Sequence, residues 1–147
     1  MNSNEQSIRR VAAIAIAIVG VIHLLLAPQQ VDAKAYVGVL FIVGGLAALY
    51  VAVRLWMAPD RFAWTLGAVV SACMFVGFIL SRTTGLPGFK EEEWELSGIV
   101  TLILEAGFIA AWIAALRARP AAAVGRRNSH ARATTGMQHG SSATLRR

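Results

Sequence analysis

The sequence predicts an all-α integral membrane protein, an up-down-up-down four-helix bundle followed by a disordered basic C-terminal tail. Of its 147 residues, 56% are hydrophobic and only 15% are charged, whereas a soluble domain has roughly 45–50% apolar and about 25% charged residues. The excess apolar residues are gathered into four runs, each with about the 17–25 residues that a helix needs to cross a bilayer. A water-soluble globular fold is therefore excluded.

The predicted domain boundaries follow these four runs. A cytoplasmic N-terminus, residues 1–10, precedes a transmembrane domain, residues 11–116, and the tail comprises residues 117–147. Each run is interpreted as a helix, because a membrane span must satisfy its own backbone hydrogen bonds. The spans are residues 11–27, 35–56, 62–80 and 96–116, and short connections at residues 28–34, 57–61 and 81–95 favour antiparallel neighbours.

The first run also has an alternative interpretation as a cleaved signal peptide. Arg9 and Arg10 precede it, and Val31-Asp32-Ala33 resembles a small-residue cleavage site. The run is longer than the usual ~7–15 apolar residues of a signal peptide, which favours a retained span. The remaining topology is the same under either interpretation.

The distribution of Lys and Arg predicts that both termini are cytoplasmic. With the N-terminus inside, eleven of these residues lie on the cytoplasmic side, seven of them in the tail, and Lys34, Arg82 and Lys90 lie outside. The net charge of +6 thus reflects orientation and the tail, and no nucleic-acid partner is expected. The expected partners are the lipid bilayer, anionic lipid at the tail, and a membrane protein or a second copy of the chain.

Small residues recur at every fourth position in two spans, a spacing typical of close helix packing. In the second span they are Gly44, Ala48 and Ala52, and in the third they are Cys73, Gly77 and Ser81.

Glu105 and His23 form the candidate polar core. Glu105 lies nine residues into the fourth span, roughly 13–14 Å below its outer end. A carboxylate there costs at least ~2.5 kcal/mol, so it is expected to face the bundle interior and to have a partner. His23 is the predicted partner, because helical side chains tilt toward their own N-terminus and these two would lean toward each other. Thr101 lies on nearly the same face as Glu105.

Three interpretations of this polar core remain open. It is a structural hydrogen bond, a proton or cation site, or a metal site formed by His23, Glu105 and Cys73. The metal site has no supporting ligand spacing. No cofactor is expected, because the single cysteine excludes dithiol chemistry and one membrane histidine excludes a bis-histidine haem. The sequence contains neither a catalytic triad nor a phosphate-binding loop, so no motif indicates that the protein is an enzyme.

The connection between the third and fourth spans contains the candidate external rim. Leu86-Pro87-Gly88-Phe89 predicts a type II turn with positive φ at the glycine. The acidic run is expected in the first turns of the fourth helix, where carboxylates are favourable, and its alternative role is a rim that attracts cations. Arg82 is expected to reach the outer surface, to pair with Glu95 or a lipid phosphate, or to bind an anionic ligand. The rim residues are Arg82, Glu91, Glu92, Glu93 and Glu95.

The residues of this connection also carry a resemblance. Ser-Arg-Thr-Thr-Gly-Leu-Pro-Gly at residues 81–88, then Glu-Glu-Trp-Glu at 92–95, with His23 and a later Leu-Glu-Ala, resembles small four-span membrane proteins of actinobacteria that have no assigned activity. The resemblance covers residues 11–116 and implies a bacterial inner-membrane location. The chain does not resemble small multidrug transporters, because their key glutamate is in the first span, where this chain has His23 and no acidic residue.

The sequence thus leads to two functional hypotheses. The first is a non-enzymatic accessory or interaction subunit with a buried Glu/His pair. The second is a small transporter, or a protein that binds a proton or cation, using the same residues.

Overall fold

The computed structural model describes residues 3–117 and has the predicted all-α architecture. Helices account for 85% of the described residues, and this part of the chain contains no strand. The helices are α1 (Ser3–Ala33), α2 (Ala35–Met57), α3 (Arg61–Arg82) and α4 (Leu96–Arg117). All four are long and apolar enough to cross a membrane, so the chain is a multi-pass membrane protein. The tail prediction, apart from its first residue, lies outside the described residues.

The outer surface of the bundle is apolar, as lipid contact requires. Large hydrophobic side chains point away from the protein along every helix, including Leu25 at 74% exposure, Met57 at 77% and Leu96 at 76%. Apolar surface on this scale would cause aggregation in water, whereas lipid tails solvate it.

The first connection is much shorter than the predicted loop at residues 28–34. Helix α1 continues through Pro28 to Ala33, and Lys34 alone links it to α2. Proline removes one backbone hydrogen bond from a helix, and the turn that follows Pro28 packs closely on α2. The helices approach so tightly that a Cβ at Gly38 would lie 2.6 Å from the Cα of Val31.

Arg9 joins the two helices at their other end. Its Nη1 donates to the carbonyl of Leu55 and, at 3.0 Å, to that of Trp56, and the side chain is only 7% exposed. These carbonyls belong to the last turn of α2, where no helical N–H is available to them. From the sequence, Arg9 was interpreted as a positive charge that orients the first span. The structure shows that it also caps the C-terminal end of α2.

The two halves of the bundle are packed differently. In the half that contains the N-terminus of α1, the side chains at its centre are almost fully buried. They are Ile16, Val19, Val51, Leu55, Ala63 and Phe108. The Trp64 and Phe108 rings pack there with centroids 5.4 Å apart. The other half, near Lys34 and the connection at residues 83–95, contains a partly open cavity.

Candidate functional site

A cavity of about 320 Å³ lies in this second half and is lined by all four helices and by the connection between α3 and α4. Its walls are mainly apolar, with Leu40 and Phe41 from α2 and Met74 and Phe78 from α3 among them. The size is within the range of small-molecule sites, which are typically largely apolar with a few polar groups.

Glu105, His23 and Thr101 all line this cavity, so the structure brings the predicted polar residues together. All three side chains are buried, at 1%, 9% and 5% exposure respectively. The longer α1 changes their relative depth. His23 now lies ten residues before the end of its helix, about 15 Å at the helical rise, and Glu105 lies nine residues after the start of α4, about 13–14 Å.

The predicted hydrogen bond between Glu105 and His23 is not formed. His23 Nδ1 instead lies 3.0 Å from the carbonyl oxygen of Val19, one turn earlier on its own helix. The imidazole also packs against the Phe41 ring, with centroids 4.8 Å apart, which turns it toward α2. Glu105 Oε2 is buried and has no hydrogen-bond partner among the described residues. The helix thus provides His23 with an acceptor and leaves the carboxyl group without a donor.

Thr101 lies one turn before Glu105 on the same face of α4. Its Oγ1 donates to the carbonyl of Gly98 at 2.9 Å, so its only hydroxyl proton is already used. The oxygen can therefore only accept further hydrogen bonds from the cavity.

Cys73 and Gly77 also line the cavity, which corrects the packing role predicted for the third-span stripe. A Cβ at Gly77 would meet no atom within 4 Å, so this face of α3 does not contact a neighbouring helix there. Cys73 is exposed, and the described residues contain no group of three or more His, Cys, Asp or Glu that could hold a metal ion. His23, Cys73 and Glu105 thus share a cavity without assembling a metal site.

The connection at residues 83–95 covers the end of the cavity. Gly88 has φ +65°, and Phe89 N donates to Leu86 O at 2.9 Å, which confirms the predicted turn with a positive-φ glycine. The turn lies on the junction between α1 and α2, where Tyr36 Oη donates to Pro87 O at 3.0 Å.

The acidic run does not occupy the first turns of α4, because that helix begins only at Leu96. The run is held beside the end of α3 instead, where Glu91 N donates to Ser81 O at 3.0 Å. Glu91 and Glu95 line the cavity, whereas Glu92 and Glu93 do not. The predicted rim is therefore built from two of its four glutamates.

Arg82 lines the cavity beside these two glutamates, and its contacts are mostly internal. Its Nε donates to Glu93 O at 3.0 Å, Nη1 donates to Ser81 Oγ at 3.0 Å, and the guanidinium lies 3.7 Å from the centroid of the Phe78 ring. The side chain therefore fixes the acidic segment to α3, and it forms no ion pair with Glu95.

Comparison with protein-family models, with curated proteins and with solved structures finds no match for this chain.

Proposed function

We propose that the chain is an integral membrane protein that binds a small cationic ligand in this cavity, with Glu105 as the binding carboxylate. The observation that carries the proposal is the Glu105 side chain, which lines the cavity, is 1% exposed and has an unpartnered Oε2. A polar group buried without a hydrogen bond costs free energy, and a bound cation would supply both the missing charge and the missing donor.

The interpretation as a structural Glu/His pair has less support, because it depends on a contact that the side chains do not make. His23 satisfies Nδ1 within α1, and Glu105 meets no donor from α1, α2 or α3. An accessory role without a ligand would leave this burial cost uncompensated.

The charge at the outer rim supports a positive ligand. Together with Arg82, the connection at residues 83–95 carries four glutamates, one lysine and one arginine, a formal charge of −2. Carboxylates at the mouth of a low-dielectric cleft raise the local concentration of cations and so favour their entry.

We also propose a bacterial cytoplasmic membrane location, with both termini in the cytoplasm and the rim outside. The eleven-to-three distribution of Lys and Arg supports this orientation. The resemblance to actinobacterial four-span proteins supports the assignment to a bacterial cytoplasmic membrane. Anionic lipid is the proposed partner of the tail arginines. A membrane-protein partner or a second copy remains part of this proposal.

A second candidate function is transport of the bound cation. Glu105 favours this candidate because it lies about 13–14 Å from the start of α4, near the middle of a bilayer roughly 30 Å thick. Cation flux into proteoliposomes would distinguish transport from binding alone.

The binding proposal can be tested with an apolar carbodiimide such as dicyclohexylcarbodiimide, which modifies carboxyl groups in apolar surroundings. We expect one adduct at Glu105, mapped by mass spectrometry on the purified full-length protein in nanodiscs. Organic ammonium ions should slow modification of Glu105, counted as the N-acylurea adduct together with any amide that a primary amine forms on the activated carboxyl group. The probes are 2-phenylethylammonium and its N,N,N-trimethyl derivative.

Matched variants make this result specific. Glu105→Gln should abolish the adduct, whereas Glu92→Gln, which removes an exposed carboxylate outside the cavity, should leave labelling and protection unchanged. Labelling that neither ammonium ion slows would overturn the proposal.

A further inference from the structure

We infer that the ligand is an ammonium ion that carries at least one N–H group on an apolar body, because the deep end of the cavity presents hydrogen-bond acceptors and no strong donor. This inference rests on the proposed function and specifies its ligand class. Its basis is the hydrogen-bonding state of Glu105, Thr101 and His23, the three buried polar residues that line this end.

The contact made by His23 assigns its tautomer. A backbone carbonyl can only accept, so the 3.0 Å contact between Nδ1 and Val19 O places a proton on Nδ1. In the neutral ring, Nε2 then carries a lone pair and acts as an acceptor. Nε2 forms no hydrogen bond with a described residue.

Thr101 and Glu105 add acceptors from α4. The Thr101 hydroxyl proton is used by Gly98 O, so its oxygen presents lone pairs. Glu105 presents a buried carboxyl oxygen, Oε2, that receives no hydrogen bond from the described chain. The two residues are four positions apart, so they are neighbours on one helix face and can act on the same ligand group.

The strong donors belong to the other end of the cavity, because Cys73, nine residues before the end of α3, offers the deep end only a weak S–H donor. Arg82 lines the rim with the acidic segment, and Gln30 lies two turns of α1 beyond His23. A ligand that satisfies the deep end must therefore bring its own donors. A protonated amine matches this requirement, because it combines a positive charge with directed N–H groups.

The walls indicate the rest of the ligand. Phe41 and Phe78 provide aromatic surface, Leu40 and Met74 provide aliphatic surface, and the volume of about 320 Å³ is far larger than a bare ion needs. Burial of an apolar body against these side chains would contribute to affinity. The site therefore fits an alkyl or aryl amine better than an inorganic cation.

Stepwise N-methylation of one probe tests this inference. Dissociation constants are measured from the protection of Glu105 against carbodiimide activation, with the acylurea, amide and ester products of Glu105 counted together. The probes are 2-phenylethylammonium, its N,N-dimethyl and N,N,N-trimethyl derivatives, and the uncharged 2-phenylethanol. The dimethyl and trimethyl ions differ by one methyl group and by the last N–H. We expect the trimethyl ion to bind about tenfold more weakly than the dimethyl ion, or worse, because it cannot donate.

The variants locate the effect. Thr101→Val removes one acceptor at nearly constant shape and should weaken the primary ammonium ion severalfold while leaving the trimethyl ion unchanged. Thr65→Val is the control, since Thr65 also bonds its own helix, through Arg61 O, but is exposed and outside the cavity.

The possible outcomes separate the two proposals. Equal protection by the dimethyl and trimethyl ions would overturn the donor requirement while leaving cation binding intact. Protection by 2-phenylethanol equal to that by the amine would overturn the ammonium assignment. Failure of all four probes would overturn the proposed function together with this inference.

Discussion

Glu105 occupies a position where an apolar side chain would be more stable in the empty protein. Its neighbours along α4 and across the cavity provide no donor, and the side chain is 1% exposed. Polar groups retained at such cost inside membrane proteins usually mark ligand or ion pathways. Stability and binding should therefore respond in opposite directions when this residue is replaced.

Glu105→Leu should raise the free energy of unfolding by about 1–3 kcal/mol, because it removes a buried unpartnered polar group. Glu105→Gln keeps a buried polar side chain at the same position and should not give this stabilisation. Both variants should lose ammonium binding. Reversible unfolding in detergent measures the first effect. A destabilised Glu105→Leu protein would instead favour the structural hydrogen bond with His23.

Arg9 differs from Glu105, because its polar contacts stabilise the fold, whereas the unpartnered carboxyl group of Glu105 destabilises it. Arg9→Leu should lower the free energy of unfolding by about 1–3 kcal/mol, because the carbonyls of Leu55 and Trp56 lose their donor. Arg10→Leu removes the same charge but only a contact 5.8 Å from the Trp56 ring centroid, worth about 0.5–1 kcal/mol at an exposed site. Equal losses in the two variants, measured by thermal unfolding, would contradict the capping role of Arg9.

The helix pairs differ in how closely they pack. α1 contacts α2 far more extensively than α2 contacts α3, and the closest approach is at Gly38 and Val31. A Cβ at Gly38 would lie 2.6 Å from both the backbone N and the Cα of Val31, so the two helices would have to separate to accept it. The glycine thus permits the tight junction that follows Pro28.

Gly38→Ala should cost about 1–3 kcal/mol of stability through overpacking. Gly107→Ala is the control, because a Cβ there meets nothing within 4 Å. It should be neutral or stabilising by up to about 1 kcal/mol, since alanine is the better helix former. Denaturant unfolding of both variants in detergent would test this, and a Gly38→Ala protein as stable as its parent would show that the junction can relax.

The elements were predictable because hydrocarbon thickness sets both the length and the apolarity of a span. The predicted second, third and fourth spans agree with α2, α3 and α4 to within two residues at each end. α1, at Ser3–Ala33, was predicted too short at both ends. At its C-terminal end Pro28 is a strong local signal for a helix end, and at its N-terminal end the predicted span began with the apolar run, whereas the helix also includes the polar residues before it. The close contact at Gly38 is tertiary and has no local signature.

For the candidate site, the sequence indicated which polar residues face the interior, but not which hydrogen bonds they form. A carboxylate within an apolar run is costly wherever it faces lipid, so Glu105 had to point inward, and His23 and Thr101 line the same cavity. Their hydrogen bonds depend on rotamers and on the Phe41 ring beside His23, which the sequence does not specify. Cys73 and Gly77 of α3 were misassigned because close packing and an open cavity wall are both compatible with a small side chain.

At the scale of the whole molecule, the arrangement of charge predicts the orientation in the membrane. A phosphatase reporter that is active only outside the cytoplasm should be inactive when fused after Arg147. The same reporter inserted after Gly88, in the connection at the rim, should be active because that segment carries few basic residues. Activity in the first fusion and none in the second would invert the topology, and the cavity would then face the cytoplasm.

The single residue between α1 and α2 has a consequence for motion. Only Lys34 lies between these two helices, and Arg9 joins their opposite ends, so we expect them to move together as one hairpin. The connection at residues 83–95 leaves α3 and α4 much more freedom, but its turn is tethered to the hairpin by Tyr36. Entry of a molecule from outside would therefore begin with release of that tether, and α1 and α2 would serve as the fixed wall against which the rest of the protein opens.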